Sequence, residues 1–169
     1  MDATPALAPI IVLGGQDAGE ILTLQRAAYV TEAQAHDDPG LPPLRQTLAE
    51  LRAELGSADV TALGIRDRGR LVATVRLRHD PSDAHTAEVA RLAVAPDRQG
   101  EGLGTRLLAE VDRHARPEVT ALELFTGDRS HGNLRLYARH GYVETHRTPA
   151  GTHRLVHMRK PIDQPPGSR

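Results

Sequence analysis

The sequence predicts a mixed α/β sheet with helices on both faces. Apolar runs of strand length alternate with segments whose apolar residues recur at helical spacing, and a glycine-rich turn joins one such run to one such helix. The order of elements is strand, two helices, a run of strands, helix, strand, helix and a closing hairpin. A chain of 169 residues has room for one domain with a single substantial core. Residues 1–161 read as that domain, and 162–169, which contain two prolines and Gly-Ser, as a frayed tail.

Ile10 to Leu13 reads as a short opening strand. Asp17 can cap a helix running to about Ala33, with Ile21, Leu24 and Ala28 on one face. Asp37 to Pro43, rich in Asp, Pro and Gly, interrupts periodic structure. Thr47-Leu48-Ala49-Glu50 then reads as a capping box opening a helix that turns Leu48, Leu51 and Leu55 inward and stops at Gly56. Val60–Arg66 and Leu71–Arg78 are strands joined by Asp67-Arg68-Gly69-Arg70, whose glycine suits the left-handed position of a hairpin. Asp80–Thr86 reads as a polar loop. Ala87–Ala95 is apolar enough on both faces to be central in a sheet, and Pro96 ends it. From Leu103, the residues Leu107, Leu108, Val111 and Ala115 trace one helical stripe that Pro117 closes. Val119–Phe125 is a further strand. Ser130 is a candidate N-cap for a short helix with Leu134, Tyr137 and Ala138 inside and Gly141 at its end. Tyr142–Thr145 and Arg154–Met158 pair as the last hairpin. There is no repeat, coiled coil or low-complexity segment.

Composition excludes several functions. With 21 basic and 22 acidic residues and a net charge of −1, no broad electrostatic field favours nucleic acid or anionic lipid. Three tyrosines, one phenylalanine and no tryptophan make a poor base-stacking platform. Without cysteine there is no disulfide framework, thiol nucleophile or cysteine metal site. Met1 to Ile11 has no basic start or long apolar core, so cytoplasmic residence is expected. Five of the nine histidines (His131, His140, His146, His153 and His157) crowd the C-terminal part, where a solvated surface is expected rather than a metal site. On a strand, His153 and His157 would share a face but stand too far apart for one ion at about 3.3 Å per residue.

The most informative stretch is Gln99-Gly100-Glu101-Gly102-Leu103-Gly104. A strand that ends in a glycine turn and feeds straight into a helix leaves the first helical amides unpaired, backed by the positive end of the macrodipole. Phosphate is the usual guest at such a place. Thr105-Arg106 does not supply the Lys-Ser/Thr pair of a nucleoside triphosphate loop, and Thr105 stands where the dinucleotide fingerprint needs its third glycine.

The remaining pattern, Gln-x-x-Gly-x-Gly after Glu88-Val-Ala-Arg-Leu-Ala-Val-Ala-Pro-Asp97, resembles the acetyl-coenzyme A signature of the GNAT acetyltransferase superfamily. A second block, Asn133-Leu-Arg-Leu-Tyr-Ala-Arg-His-Gly-Tyr142, follows at the family's distance, and the similarity runs from about Val60 to Met158. The resemblance implies a mostly antiparallel mixed sheet of six to seven strands flanked by about four helices. It also implies acetyl-CoA as cosubstrate, with no metal.

Carried over residue by residue, the resemblance puts the pyrophosphate on the amides of Gln99, Gly100, Gly102, Leu103 and Gly104. The Thr105 hydroxyl would lie nearby and Arg98 would add charge. Side chains at Gly102 or Gly104 would hold the phosphates off. The pantetheine arm would lie along Leu92, Ala93 and Val94, with Leu92 and Val94 offering main-chain groups and the Val94 N–H polarising the thioester. Family members splay this strand from the next, around Leu122 to Leu124, although no sequence pattern shows it.

Tyr137, also counted among the cofactor contacts, would protonate the thiolate leaving group. Asn133 would either bond the cofactor or cap its helix. Glu88 matches the position of the catalytic glutamate of several members, and its apolar strand neighbours would raise its pKa; an exposed carboxylate at a strand start is the other reading. Arg91, three residues on, should lie on the opposite face of the strand in a structural ion pair. The implied activity is N-acetyl transfer to the primary amine of a small molecule or peptide, by direct attack. The alternatives are a catalytically silent acyl-CoA-binding regulatory module or a transferase for a longer acyl group. The acceptor would be lined by Tyr29 to Leu44, where Glu32, His36, Asp37 and Asp38 could attract a cation, and by the final hairpin. An open sheet edge makes a homodimer conceivable.

Overall fold

The computed structural model describes residues 8–163. The order is β1 (Ile10–Leu13), α1 (Ala18–His36), α2 (Pro42–Arg45), α3 (Leu48–Leu55), β2 (Val60–Asp67), β3 (Arg70–Asp80), β4 (Asp83–Val94), α4 (Leu103–Val111), β5 (Ala121–Gly127), α5 (His131–Arg139), β6 (Val143–Ala150) and β7 (His153–Pro161). The seven strands form one sheet in the order β1-β2-β3-β4-β5-β7-β6. Every neighbouring pair is antiparallel except β4 with β5. This is the mixed, mostly antiparallel sheet expected from the sequence, with a fifth helix.

That helix is α2, a single turn in the stretch expected to be irregular. Pro42 and Pro43 stand in its first turn, where a missing N–H costs nothing. Helix α1 runs three residues beyond Ala33 and stops where Asp37 turns left-handed (φ 49°), a conformation Asp tolerates better than most residues. The capping box of α3 is present: the Glu50 N–H donates to Thr47 Oγ1 (3.2 Å) and the Thr47 N–H to the Glu50 carboxylate (2.8 Å). Helix α4 ends at Val111, and the expected stretch to Ala115 tightens into a 3-10 turn.

The Asp80–Thr86 loop is not formed. Pro81 and Ser82 make a tight turn, with the Ser82 N–H and hydroxyl both donating to Asp80 (2.8 and 2.7 Å), and β4 starts at Asp83. Polar residues extend as strand here because β3 on one side, and Thr120 bonding to the His85 carbonyl on the other, supply ladder partners that composition does not reveal. At the other end, Ile162 is buried and its N–H bonds to the Thr120 carbonyl (2.9 Å), so order continues past residue 161; the rest of the expected tail, 164–169, lies outside the described residues, as do Met1 to Leu7 of the opening segment.

Two apolar clusters sandwich the sheet. Leu63, Val75, Leu77, Val89, Leu107, Leu108, Val111 and Leu122 pack on the α4 face. Leu13, Ile21, Leu22, Leu24, Leu51 and Leu71 pack on the face covered by α1 and α3. Through the second layer runs a polar seam. Arg76 of β3 is fully buried, donating to the side-chain amide oxygen (Oε1) of Gln25 and paired with Glu54 (3.2 Å). Glu54 also accepts from Gln46 and Arg78. No helix among the described residues is long and apolar enough to cross a membrane.

Candidate active site

The site grows from an irregularity in β4. Thr74 of β3 faces Ala93 and Arg76 faces Ala90, so Arg91 and Leu92 together oppose the single residue Val75. This is a β-bulge, and Arg91 adopts φ 55° within it. The extra residue shifts the alternation by one. Glu88 and Arg91, which a regular strand would send to opposite faces, therefore line the same cavity, and the expectation for Arg91 is corrected on that ground. The expected ion pair is also absent among the described residues; the Arg91 Nε is buried with no hydrogen-bond partner.

The same bend parts β4 from β5. The two pair in parallel only at Thr86–Ala121, Ala87–Leu122 and Glu88–Glu123, after which β5 keeps its hydrogen bonds to β7 while β4 continues to Val94 paired with β3 alone. The Ala95 N–H bonds back to Val72 of β3 (2.9 Å), so by alternation the Val94 N–H points into the gap.

Into that gap opens the glycine turn. Gly100 (φ 81°) and Gly102 (φ 79°) are both left-handed, with open space where a Cβ would stand, so backbone conformation is what requires glycine at these two positions. Gly102 caps α4 without a side chain. The first helical bond there is Arg106 N–H to the Gly102 carbonyl (3.1 Å), which leaves the amides of Leu103, Gly104 and Thr105 free. Gly104 lies under the gap, where a methyl would meet Leu92, Val94 and Leu136 at 3.5–3.9 Å.

A cleft of about 680 Å³ runs over this turn. Leu92, Ala93, Val94, Arg98, Gln99, Gly100, Gly102, Leu103, Gly104, Thr105 and Asn133 all line it, whereas Tyr137 lines the neighbouring cavity instead. Arg98 is held by Asp67 and Glu101, each at 2.8 Å, so its charge is largely compensated. The cations that reading the sequence missed are Arg129, Arg135 and Arg139 at the opposite wall, none in an ion pair among the described residues. Arg135 and Arg139 stand four apart, one helical turn, within the second sequence block, which was the available signal.

The neighbouring cavity, about 270 Å³, is lined by Glu32, His36, Asp38, Arg78, Glu88, Arg91, Phe125 and Tyr137 among others. It shares Tyr29, Glu32, Leu92 and Asn133 with the cleft. Burial, with Tyr29, Glu32 and Tyr142 nearby, pushes the Tyr137 phenol above its usual range, so it stays protonated at neutral pH. Its hydroxyl has no hydrogen-bond partner among the described residues. Glu88 sits 3.5 Å from Arg78, so its surroundings are not the purely apolar ones its strand neighbours suggested. Glu32 accepts from the Ser130 hydroxyl and from Asn133 (3.2 Å). Ser130 and Asn133 thereby tie α5 to α1, and the Ser130 hydroxyl makes no bond to its own helix.

His36 is buried, its Nδ1–H donating to the Glu32 carbonyl (2.8 Å) while Nε2 accepts from the Arg129 N–H (3.2 Å). His153, expected at the surface, is buried against it, the ring centroids 4.4 Å apart. Asp37 does not line the cavity.

The profile of the acetyltransferase (GNAT) family matches residues 22–142. Among solved structures, the chain is similar to the PaiA N-acetyltransferase of Thermoplasma acidophilum, solved in complex with coenzyme A (TM-score 0.74, 17% identity, 91% of this chain and 99% of that one). It is also similar to the ribosomal-protein-S18-alanine N-acetyltransferase of Escherichia coli (TM-score 0.72, 17% identity, 96% and 99%). Among curated sequences it is 26% identical over 125 residues to the UPF0157 protein YqkA of Bacillus subtilis (strain 168), covering 74% of this chain and 34% of that protein. The chain thus spans about a third of the length of that relative.

Proposed function

The chain belongs to the acetyltransferase (GNAT) family, and from that premise we propose that it moves an acetyl group from acetyl-CoA to a primary amine by direct attack within a ternary complex. The observation that carries this reading is the junction of two cavities at Tyr29, Glu32, Leu92 and Asn133. One has free helix amides and an unpaired strand edge; the other has carboxylates and a protonated phenol. The cleft fits coenzyme A as cosubstrate. Amides of Leu103, Gly104 and Thr105 suit its diphosphate, Arg129, Arg135 and Arg139 suit phosphate charge, and the edge at Leu92 to Val94 suits the amides of the pantetheine arm.

In the reaction a C–N bond forms as the C–S bond breaks. Glu88 takes the amine proton, directly or through a water, and Tyr137 delivers one to the departing thiolate. The Val94 N–H stabilises the developing oxyanion. Glu88 suits the base better than Glu32, whose oxygens are engaged by Ser130 and Asn133. With no cysteine in the chain, no thiol acyl-enzyme can form.

Two measurements test this. Calorimetry with acetyl-, propionyl- and succinyl-CoA should show binding, tightest or most productive for acetyl. Release of free CoA thiol should then depend on an added amine. Binding without turnover over a broad amine panel would favour the silent regulatory module, and preference for a longer acyl group would reassign the donor.

Gly102→Ala should weaken acetyl-CoA binding about tenfold, because a Cβ at a left-handed position costs about 1–2 kcal/mol and relief of that strain turns the amides. Gly102→Asn, which tolerates the conformation better, should lose less. Equal affinities for all three proteins, measured by calorimetry, would remove the turn from the binding site.

A further inference from the structure

The geometry points to an acceptor that carries a carboxylate beside its amine, an amino acid or a molecule built like one, with Arg91 as the residue that binds the carboxylate. This inference rests on the transferase reading above and names the substrate class of the same site.

Charge bookkeeping in the acceptor cavity singles out Arg91. Arg78 is compensated by Glu54 (2.7 Å) and Glu88 (3.5 Å). Glu32 is engaged by Ser130 and Asn133. Arg91 has neither an ion pair nor a hydrogen bond among the described residues, its Nε is buried and unpartnered, and it lines the cavity. Glu54 and Glu88 act on the Arg91 charge only from beyond ion-pair distance; a half-buried guanidinium whose N–H groups meet no acceptor is costly unless something external satisfies it, and its planar fork suits a carboxylate.

The backbone supports the same reading. A non-glycine residue at φ 55° inside a bulge is strained, and such strain collects where a side chain must be aimed. The bulge brings Arg91 onto the face of Glu88, so a cation that takes an anion and a carboxylate that takes a proton from an ammonium stand three residues apart on one wall. A zwitterion presents that pairing of charges. The cavity, about 270 Å³, is below the roughly 300–1,000 Å³ of sites for drug-sized ligands, which suits an acceptor of amino-acid size.

The test compares each of a set of amino acids with its carboxamide and its decarboxylated amine, by thiol release with acetyl-CoA. The expected result is that kcat/KM for the best amino acid exceeds that for its amide by at least about 30-fold, mostly through KM. In Arg91→Asn that ratio should collapse toward one. Asn removes the charge while tolerating the left-handed backbone, and a melting curve reports whether the variant folds. If it does not, the ratio in the unaltered protein decides alone. Equal turnover of acids and amides, turnover of neither, or a ratio unchanged in a folded Arg91→Asn protein overturns the inference. Calorimetry and turnover on the unaltered protein separate the two readings: acetyl-CoA binding with amine-dependent turnover that lacks carboxylate preference overturns this one only, and absence of binding, or binding without turnover of any amine, overturns both.

Discussion

Tyr137→Phe should lower kcat by about 10²- to 10⁴-fold, the range of one positioned general acid, while leaving the dissociation constant for acetyl-CoA unchanged. The split follows from placement. Tyr137 lines the smaller cavity and not the cleft over the glycine turn, so in the proposed reaction its hydroxyl would serve the chemistry rather than cosubstrate binding. Stability should hardly move. The ring stays packed edge-on against Tyr142, with centroids 6.0 Å apart, and the lost hydroxyl has no partner among the described residues to leave unsatisfied. Because burial raises the phenol above its usual value near 10, the acid form persists through the neutral range. No alkaline limb below pH 10 should therefore trace to Tyr137. Stopped-flow or steady-state thiol release would show the kcat effect. A Phe variant with full turnover would remove the acid role and leave the amide cradle standing.

Glu54→Gln should destabilise the protein by about 3–5 kcal/mol, the cost of stranding a buried charge. Glu54 is the only carboxylate paired with the fully buried Arg76 among the described residues (3.2 Å), and it also holds Arg78 (2.7 Å). Burial pulls the Arg76 guanidinium down to about 10, with Glu54 opposing that pull. For a chain of 169 residues the expected loss corresponds to a fall in Tm of roughly 10 °C.

The sign with pH is definite. Burial alone would raise the Glu54 pKa, but Arg76 and Arg78, helped by a hydrogen bond from Gln46, outweigh it and hold the group below its ordinary value. Its contribution is therefore complete above the unfolded pKa near 4.3 and is lost as pH falls through the lower folded value. The gap between parent and Glu54→Gln should be full at pH 7 and narrow below about pH 4. Thermal melts at both pH values check this, and a variant melting within about 2 °C of the parent at pH 7 would show the seam to be dispensable. Because Arg78 also reaches Glu88, the variant should bind acceptor more weakly as well.

Legibility in the sequence followed locality. The glycine turn, the Thr47–Glu50 box and the Asp67–Arg70 hairpin were readable because each is decided by neighbours within a few residues. The start of β4 was not, since Asp83 to Thr86 are strand through distant partners: Asp80 of β3 opposite Asp83, Thr120 bonded to His85, and Ala121 of β5 beside Thr86. Arg76 looked like one polar position in an apolar strand; its burial is set by Gln25 and Glu54, which lie 51 and 22 residues away in sequence. Glu32 and His36 were noted only as loop acids and a histidine near an acceptor, and their bonds to Ser130, Asn133 and Arg129 came with the fold.

By itself the sequence determined the alternation of strands and helices and the place where unpaired amides would meet an anion, because periodicity and the steric freedom of glycine are properties of short segments. Only the tertiary structure decided where β4 leaves β5 and which way Arg91 faces. A bulge exists only as a mismatch in count between two strands, and neither strand carries that count alone.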